Sequence, residues 1–250
     1  MLTSVDIPDN HPRAKSLLER EKLVEGLRKG LVVPEGLIAH GRGEAFDYII
    51  GEKTESFARK AIRAAAATLL MAENPVISVN GNVAALLPEK VVELAEVVGA
   101  AIEVNLFYRT AKRESAITKV LKENGAAEIL GVGKNASARI PELMGERRKV
   151  DPRGILAADV VFVPLEDGDR TEALRKMGKT VIALDLNPMS RTSVAASIAI
   201  VDNATRAIPL LIEEATKLKR GRNLNNIVDF DNEKNLQEAL MHIARRLENV

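Results

Sequence analysis

The chain has 250 residues, 46% of them hydrophobic, with 36 basic against 35 acidic side chains and a formal charge of +1. That suits one large α/β domain or two small ones with a full core. The charge balance argues against a general nucleic-acid binder, though not against a local positive pocket. Cysteine is absent, which excludes disulfides, thiolate metal sites and cysteine nucleophiles, and histidines scattered at 11, 40 and 242 do not make a histidine zinc site. The start carries no signal-peptide pattern. The apolar run 64–72, interrupted by Thr68, is far short of a membrane span. The expected setting is soluble and cytoplasmic, with neither membrane nor nucleic acid as partner.

Pro12 opens a helix over 13–29, where apolar positions 17, 18, 23, 24 and 27 share a face and Gly30 is the stop. Next comes Gly36-Leu-Ile-Ala-His40-Gly41-Arg42-Gly43-Glu44-Ala-Phe-Asp47-Tyr48, with no plain helix or strand period. Its glycines at 41 and 43 let backbone approach a ligand closely. Arg42 between them carries a planar, permanently charged fork suited to phosphate or carboxylate. The alternative is a tight loop with a surface ion pair from Arg42 to Glu44 or Asp47. An alanine-rich helix over about 55–72 ends at Asn74-Pro75.

From there the period changes. Val76–Val79 reads as a buried strand with Asn80-Gly81-Asn82 as its turn, 88–98 as a helix, and 101–106 as a strand. A helix over 110–124 is capped by Gly125, and 128–130 is a short strand. The stretch 133–157 is irregular and basic, a lid or an arm reaching a partner subunit. Strand 158–164 leads into a helix to Met177; strands 180–185 and 196–201 and helices at about 204–219 and 233–248 complete the chain. Strands alternating with helices imply a parallel sheet covered on both faces. A helical segment over about 11–73 would pack on a sheet region over about 75–250, together one α/β domain spanning 1–250. Ligands of such sheets gather beyond the carboxyl ends of the strands. Four polar clusters fall there: Asn80 to Asn82, Glu166 to Arg170, Asp185 to Asn187, and Asp202 with Asn203.

Two motifs mislead. Gly131-Val-Gly133-Lys-Asn-Ala136 matches a dinucleotide fingerprint, but Pro141 breaks the required helix early and no acidic-ended strand follows at the right distance. A nicotinamide-linked dehydrogenase would rest on it alone. Gly178-Lys179-Thr180 resembles the end of a P-loop, yet it precedes a strand and lacks the leading glycine; it reads as a helix stop.

Arg13, Arg20, Arg42, Arg170 and Arg191 lie in or near the candidate regions. Gathered in one cleft, they would bind a polyanion, each phosphate bringing about −1.5 to −2 charges at neutral pH. Asp185, Asn187, Asp202 and Asn203 suit ribose hydroxyls or a base edge. Glu166, Asp167 and Asp169 offer a place for Mg²⁺; alternatively, Asp167 or Asp169 caps the helix starting near Arg170.

Six segments in order carry a resemblance: 36–48 as quoted, Pro75-Val-Ile-Ser-Val-Asn80-Gly81-Asn82-Val-Ala-Ala85, Asn105-Leu-Phe-Tyr-Arg-Thr110, Val163-Pro-Leu-Glu166-Asp167-Gly-Asp169-Arg170-Thr-Glu-Ala-Leu174, Asp185-Leu186-Asn187-Pro-Met-Ser-Arg191, and Ile200-Val-Asp202-Asn203. Together they are similar to the archaeal 4-phosphopantoate–β-alanine ligases, the phosphopantothenate synthetases. The likeness runs from about residue 8 to the end and is loose over 133–148 and the last thirty residues. It implies a homodimer with a Rossmann-like parallel sheet flanked by helices on both faces. It implies ATP-dependent amide formation in coenzyme A biosynthesis: 4-phosphopantoate attacks ATP to give an acyl adenylate and pyrophosphate, then β-alanine displaces AMP. The implied ATP contacts are Arg20, Arg42, Asp185, Leu186, Asn187, Arg191, Thr192, Asp202 and Asn203, with Mg²⁺ accompanying the nucleotide. Asn80 and Asn82 are candidates for the hydroxyl and phosphate of the acid, or simple turn residues; Asp167, Asp169 and Arg170 are further substrate candidates. Arg42 and Arg20 would stabilise charge on the α-phosphate. His40 would orient a phosphate or receive the amine proton. The competing reading is a non-catalytic sensor of a nucleotide or phosphometabolite on the same fold.

Overall fold

A computed structural model describes residues 7–8, 10–221 and 229–248; the first six residues, and with them the expected lack of a leader, lie outside it. Three helices come first: α1 (Ala14–Arg28), α2 (Pro34–Ile50) and α3 (Ser56–Met71). Then follow β1 (Pro75–Val79), α4 (Gly81–Leu86), α5 (Pro88–Val98), β2 (Ala101–Val104) and α6 (Ala111–Glu123). A two-stranded hairpin of β3 (Ala138–Arg139) and β4 (Lys149–Val150) precedes β5 (Val160–Pro164). The remainder is α7 (Gly168–Lys176), β6 (Thr180–Leu184), α8 (Arg191–Ala195), β7 (Ile198–Ile200), α9 (Ala204–Gly221) and α10 (Asn232–Leu247).

Five strands form a parallel sheet in the order β2-β1-β5-β6-β7. Its strands are buried on both sides, as the apolar runs of β1 and β5 require. Alternation along each strand divides the core. Ile77, Val79, Phe162, Ile182 and Leu184 pack under α3, α5 and α9. Val76, Val161, Val163, Val181 and Ala183 meet α7, α10 and the segment before β5. The fold is therefore an α/β sheet covered on both faces. Strand order reverses between β1 and β5, which opens a crevice at their carboxyl ends. Among the described residues, no helix is long and apolar enough to cross a membrane.

Several elements differ from expectation. Segment 36–48 is the middle of α2. Pro34 supplies a first-turn residue with preset φ. The helical period is hidden because the inward stripe carries Glu44 and Asp47, both buried, in place of apolar side chains. Asn80 to Asn82 is not a turn but the start of α4: Asn80 Oδ1 accepts the Val83 N–H at 3.1 Å as its N-cap. Strand β2 ends at Val104, and the expected strand at 128–130 is a single bridge from Leu130 to Glu103. α8 has no counterpart in the sequence reading.

Nor does the stretch 133–157 stand off as a lid or arm. Ile140, Leu143, Val150 and Ile155 are buried in the second core cluster. A fully buried carboxylate pins its end to the sheet: Glu103 of β2 accepts the Asp151 N–H at 3.0 Å and the Ile155 N–H at 2.6 Å. Gly131 has φ +73°, and a Cβ there would lie 2.5 Å from Glu103 Cγ. This glycine serves close packing, and 133–135 is one 3-10 turn, so the dinucleotide fingerprint lacks its helix. Gly178 follows α7 as a helix stop, and the Lys179 ammonium donates to the Leu156 and Ala158 carbonyls at 2.7 and 2.6 Å, so no phosphate-binding loop is formed there.

Candidate active site

A cleft of about 580 Å³ opens at the carboxyl ends of β1, β5 and β6, walled by α2. This is the size range of small-molecule sites. Of the expected residues, His40, Arg42, Asn80, Asn82, Asp167, Asp185, Leu186, Asn187, Arg191, Thr192 and Asn203 line it. Arg20, Asp169, Arg170 and Asp202 do not.

The four outside have other partners. Arg20 of α1 forks onto Glu44, with Nε and Nη2 at 3.0 and 2.7 Å, and reaches the cleft only through that carboxylate. Arg13 donates to the Tyr48 hydroxyl at 2.9 Å and is likewise outside. Arg170 is completely buried; its Nη1 donates to Ser78 Oγ at 3.0 Å and to Glu166, and burial lowers its pKa to about 10. Asp169 is exposed and accepts the Arg170 N–H at 2.9 Å. Asp202 is buried, accepting from the Thr54 hydroxyl at 2.6 Å and from Arg206. The supposed surface pairs of Arg42 do not form, because Glu44 is taken by Arg20 and Asp47 by Arg206.

Some lining residues are already committed. Asn80 caps α4 and donates to the Pro164 and Leu165 carbonyls at 3.0 and 2.9 Å, so it ties β1 to β5. Asn82 donates to the Gly36 carbonyl at 2.8 Å. Asn203 donates to Glu19 and Asp47, both at 3.1 Å, and accepts from the Thr205 N–H at 3.0 Å. Arg191 forks onto Glu172 at 3.0 and 2.9 Å. Asp185 folds its own loop by accepting the Asn187 N–H at 3.0 Å and the Ser190 hydroxyl at 2.6 Å. Burial pushes its pKa up, opposed in part by Arg42.

Two groups keep free capacity. His40 Nε2 is buried without a hydrogen-bond partner, and burial lowers the imidazole pKa against the opposing pull of Glu19 and Glu44. The ring is therefore neutral near pH 7 and can accept a proton. Arg42 forms no ion pair among the described residues and stands where its charge acts on Asp185.

The sequence reading missed two cations. Arg113 of α6 lines the cleft and donates to the Tyr108 and Leu31 carbonyls, but no carboxylate lies within ion-pair distance among the described residues. Its Nε is buried and unpartnered, and burial lowers its pKa. One signal was available. Thr110 caps α6, so Arg113 sits in the first turn, where the helix dipole disfavours a cation unless an anion is near. Arg147 pairs with Glu166 and with Asp167 at 3.1 Å and lies 5.7 Å over the Phe107 ring. No local pattern marks it, since its partners lie about twenty residues or more away in sequence.

The acidic group does not suit a metal. Glu166 lies between Arg147 and Arg170, Asp167 faces Arg147, and Asp169 points to solvent. Among the described residues, no cluster of three or more ligating side chains occurs. Asp167 occupies the N-cap position of α7 without a side-chain cap bond.

The chain is similar to known proteins over nearly its full length. The family described as phosphopantothenate/pantothenate synthetase matches residues 57–246. The 4-phosphopantoate–β-alanine ligase of Thermococcus onnurineus is 55% identical over 247 residues, covering 97% of this chain and 94% of that protein. The protein of the same name from Methanosarcina mazei is 54% identical over 248 residues, covering 98% and 97%. The one from Methanospirillum hungatei is 46% identical over 244 residues, covering 98% and 99%.

Proposed function

The chain belongs to the phosphopantothenate/pantothenate synthetase family, and from that premise we propose that it is an ATP-dependent ligase of coenzyme A biosynthesis, joining 4-phosphopantoate to β-alanine through an acyl adenylate. The observation that carries this reading is that one cleft holds two guanidiniums, Arg42 and Arg113, without carboxylate partners among the described residues. Two phosphorylated reactants need two such stations.

In the first step a carboxylate oxygen of the acid attacks the α-phosphorus of ATP. The bond to pyrophosphate breaks, and a poor acyl donor becomes a good one. Arg42 is assigned to the charge that builds on the α-phosphate, a fixed donor needing no reorganisation. Asp185, Leu186 and Asn187 hold the nucleoside, and Arg191 and Thr192 border it. Arg113, with Arg147 behind it, takes the phosphate of the acid. In the second step the amine nitrogen of β-alanine attacks the acyl carbon and AMP leaves with the bonding electrons. Neutral His40 receives the proton that the amine gives up. No covalent bond to the protein forms, so alignment of bound reactants supplies much of the acceleration. ATP brings Mg²⁺ on its own phosphates, since the acidic group of the chain does not fit the ion. The enzyme is taken to work as a cytoplasmic homodimer.

The test is product analysis. With both acids present, AMP and pyrophosphate should form one for one with 4-phosphopantothenate, and 4-phosphopantoate alone should support exchange of pyrophosphate into ATP. ADP and phosphate would replace the adenylate by an acyl phosphate, and ATP bound but never consumed would favour the sensor. Arg113→Ala should raise KM for 4-phosphopantoate about 10- to 100-fold, the weight of a lost charge-assisted hydrogen bond, while KM for ATP stays within about threefold. An unchanged KM for the acid would remove Arg113 from this role.

A further inference from the structure

Helix α2 carries His40 and Arg42, and it is held at both ends by side chains from other elements. At its start, Asn82 donates to the Gly36 carbonyl at 2.8 Å; a Cβ on Gly36 would lie 2.4 Å from Asn82 Oδ1. Near its end, Asp47 is gripped by Arg206 in the first turn of α9. Arg206 Nη1 and Nη2 donate to Asp47 at 3.0 and 2.6 Å, while Nε and Nη2 donate to Asp202 Oδ1 at 3.0 and 2.6 Å. Asp202 is rooted just past β7, where it also accepts from the Thr54 hydroxyl and the Asn203 N–H at 2.6 and 2.8 Å. The two carboxylates hold the Arg206 pKa above its ordinary value despite burial.

We infer that Arg206 is a positioning residue for the nucleotide site: its fork, bridging Asp47 to Asp202, sets the rotation of α2 and so the direction in which Arg42 and His40 point. The geometry of a helix makes this effective. Residues 40, 43 and 47 form one stripe, so locking Asp47 locks the stripe on which His40 lies. Each residue advances about 100°, and the anchors at 36 and 47 are about 16 Å apart along the axis. Arg20 on Glu44, and His242 and Arg246 on the Ile50 and Ile49 carbonyls, also hold α2, but Arg206 is the fork that grips the stripe carrying His40. Arg206 itself lies outside the cleft lining, so it acts through α2. Asp202 and Asn203, which the resemblance assigns to ATP, belong to the same clamp by their hydrogen bonds.

The inference rests on ATP occupying the Arg42 end of the cleft, and its test is kept separate from turnover. The full chain carrying Arg206→Lys retains the charge but loses the fork that spans two carboxylates. Isothermal titration should show ATP binding weakened about tenfold or more, as for loss of a charge-assisted contact. Binding of 4-phosphopantoate without ATP should stay within about threefold, and circular dichroism should keep its helical signal. Asp47→Asn, which weakens the Arg206 grip on α2 but leaves Arg206 on Asp202, should weaken ATP binding in the same direction, and it decides the matter if the lysine variant does not fold. ATP affinity within about threefold of the parent in the folded variants overturns the inference. So does equal weakening of both ligands with a lowered melting temperature, or failure of both variants to fold, since each marks a purely structural clamp. Turnover of the parent protein separately judges the ligase reading.

Discussion

Arg42→Ala is expected to lower turnover about 10²- to 10³-fold, the effect of removing one preorganised donor worth about 2.7–4 kcal/mol to a developing oxyanion. Stability should hardly change. Arg42 is exposed on α2 and makes no ion pair among the described residues, so only its longer-range pull on Asp185 is lost. Alanine also favours a helix slightly more than arginine does. An exposed substitution of this kind shifts stability by about 0.5 kcal/mol or less. AMP release and a thermal melt measured on the same preparation separate the two quantities. Turnover within about threefold of the parent would take Arg42 out of the chemistry; a large fall in melting temperature would make it a structural residue. The contrast with Arg20 is informative. That fork is already satisfied by Glu44, so its removal would act on α1 and α2 before it acted on any ligand.

The second large effect concerns stability against pH. Burial pushes the Glu103 carboxyl up from 4.5 to about 7, and Asp151 adds to the rise; two backbone N–H groups and Arg170 oppose it. Between those values the folded chain holds a proton that the unfolded chain has released. Stability therefore falls as pH rises across this window. The contribution is complete below about 4.5, declines from there to about 7 and is gone above it. Integrated over the window it amounts to about 3 kcal/mol. Asp185 and Asp202, both raised by burial, act in the same sense. Urea unfolding of the parent and of Glu103→Gln between pH 5 and 8 isolates the Glu103 part. Glutamine does not titrate, and it loses one of the two backbone acceptors at every pH. The stability advantage of the parent should thus shrink by about 3 kcal/mol across the range. Curves that run parallel would mean that Glu103 does not titrate there.

The residues of the sheet strands were readable because each carries its own reason. Val76 to Val79 and Val160 to Pro164 are short apolar runs flanked by polar turns, and the structure buries them on both faces. Helix 88–98 has a proline at its start and a glycine after its end, and both boundaries hold. Segment 36–48 resisted because its inward stripe answers to a cleft and a clamp, not to a hydrophobic core. Glu44 and Asp47 look solvent-facing until Arg20 and Arg206 are seen beside them. Arg170 and Asp202 were expected at the site and do not line the cleft, for a polar residue at a strand end can face the ligand or stand one layer behind it. Arg113 carried a weak sign in its unfavourable place in a helix first turn; Arg147 carried none.

By itself, then, the order of amino acids determined the alternation of strands and helices, the parallel sheet, the family and the carboxyl-end loops that line the cleft. Those features depend on local periodicity, turn chemistry and segment identity, all properties of neighbours along the chain. Only the tertiary structure decided which arginines face an open cleft and which are held by carboxylates. Pairing also depends on groups far apart in sequence, 24 residues for Arg20 and Glu44 and 159 for Arg206 and Asp47. A guanidinium that folding leaves without a carboxylate partner keeps its full charge for a ligand.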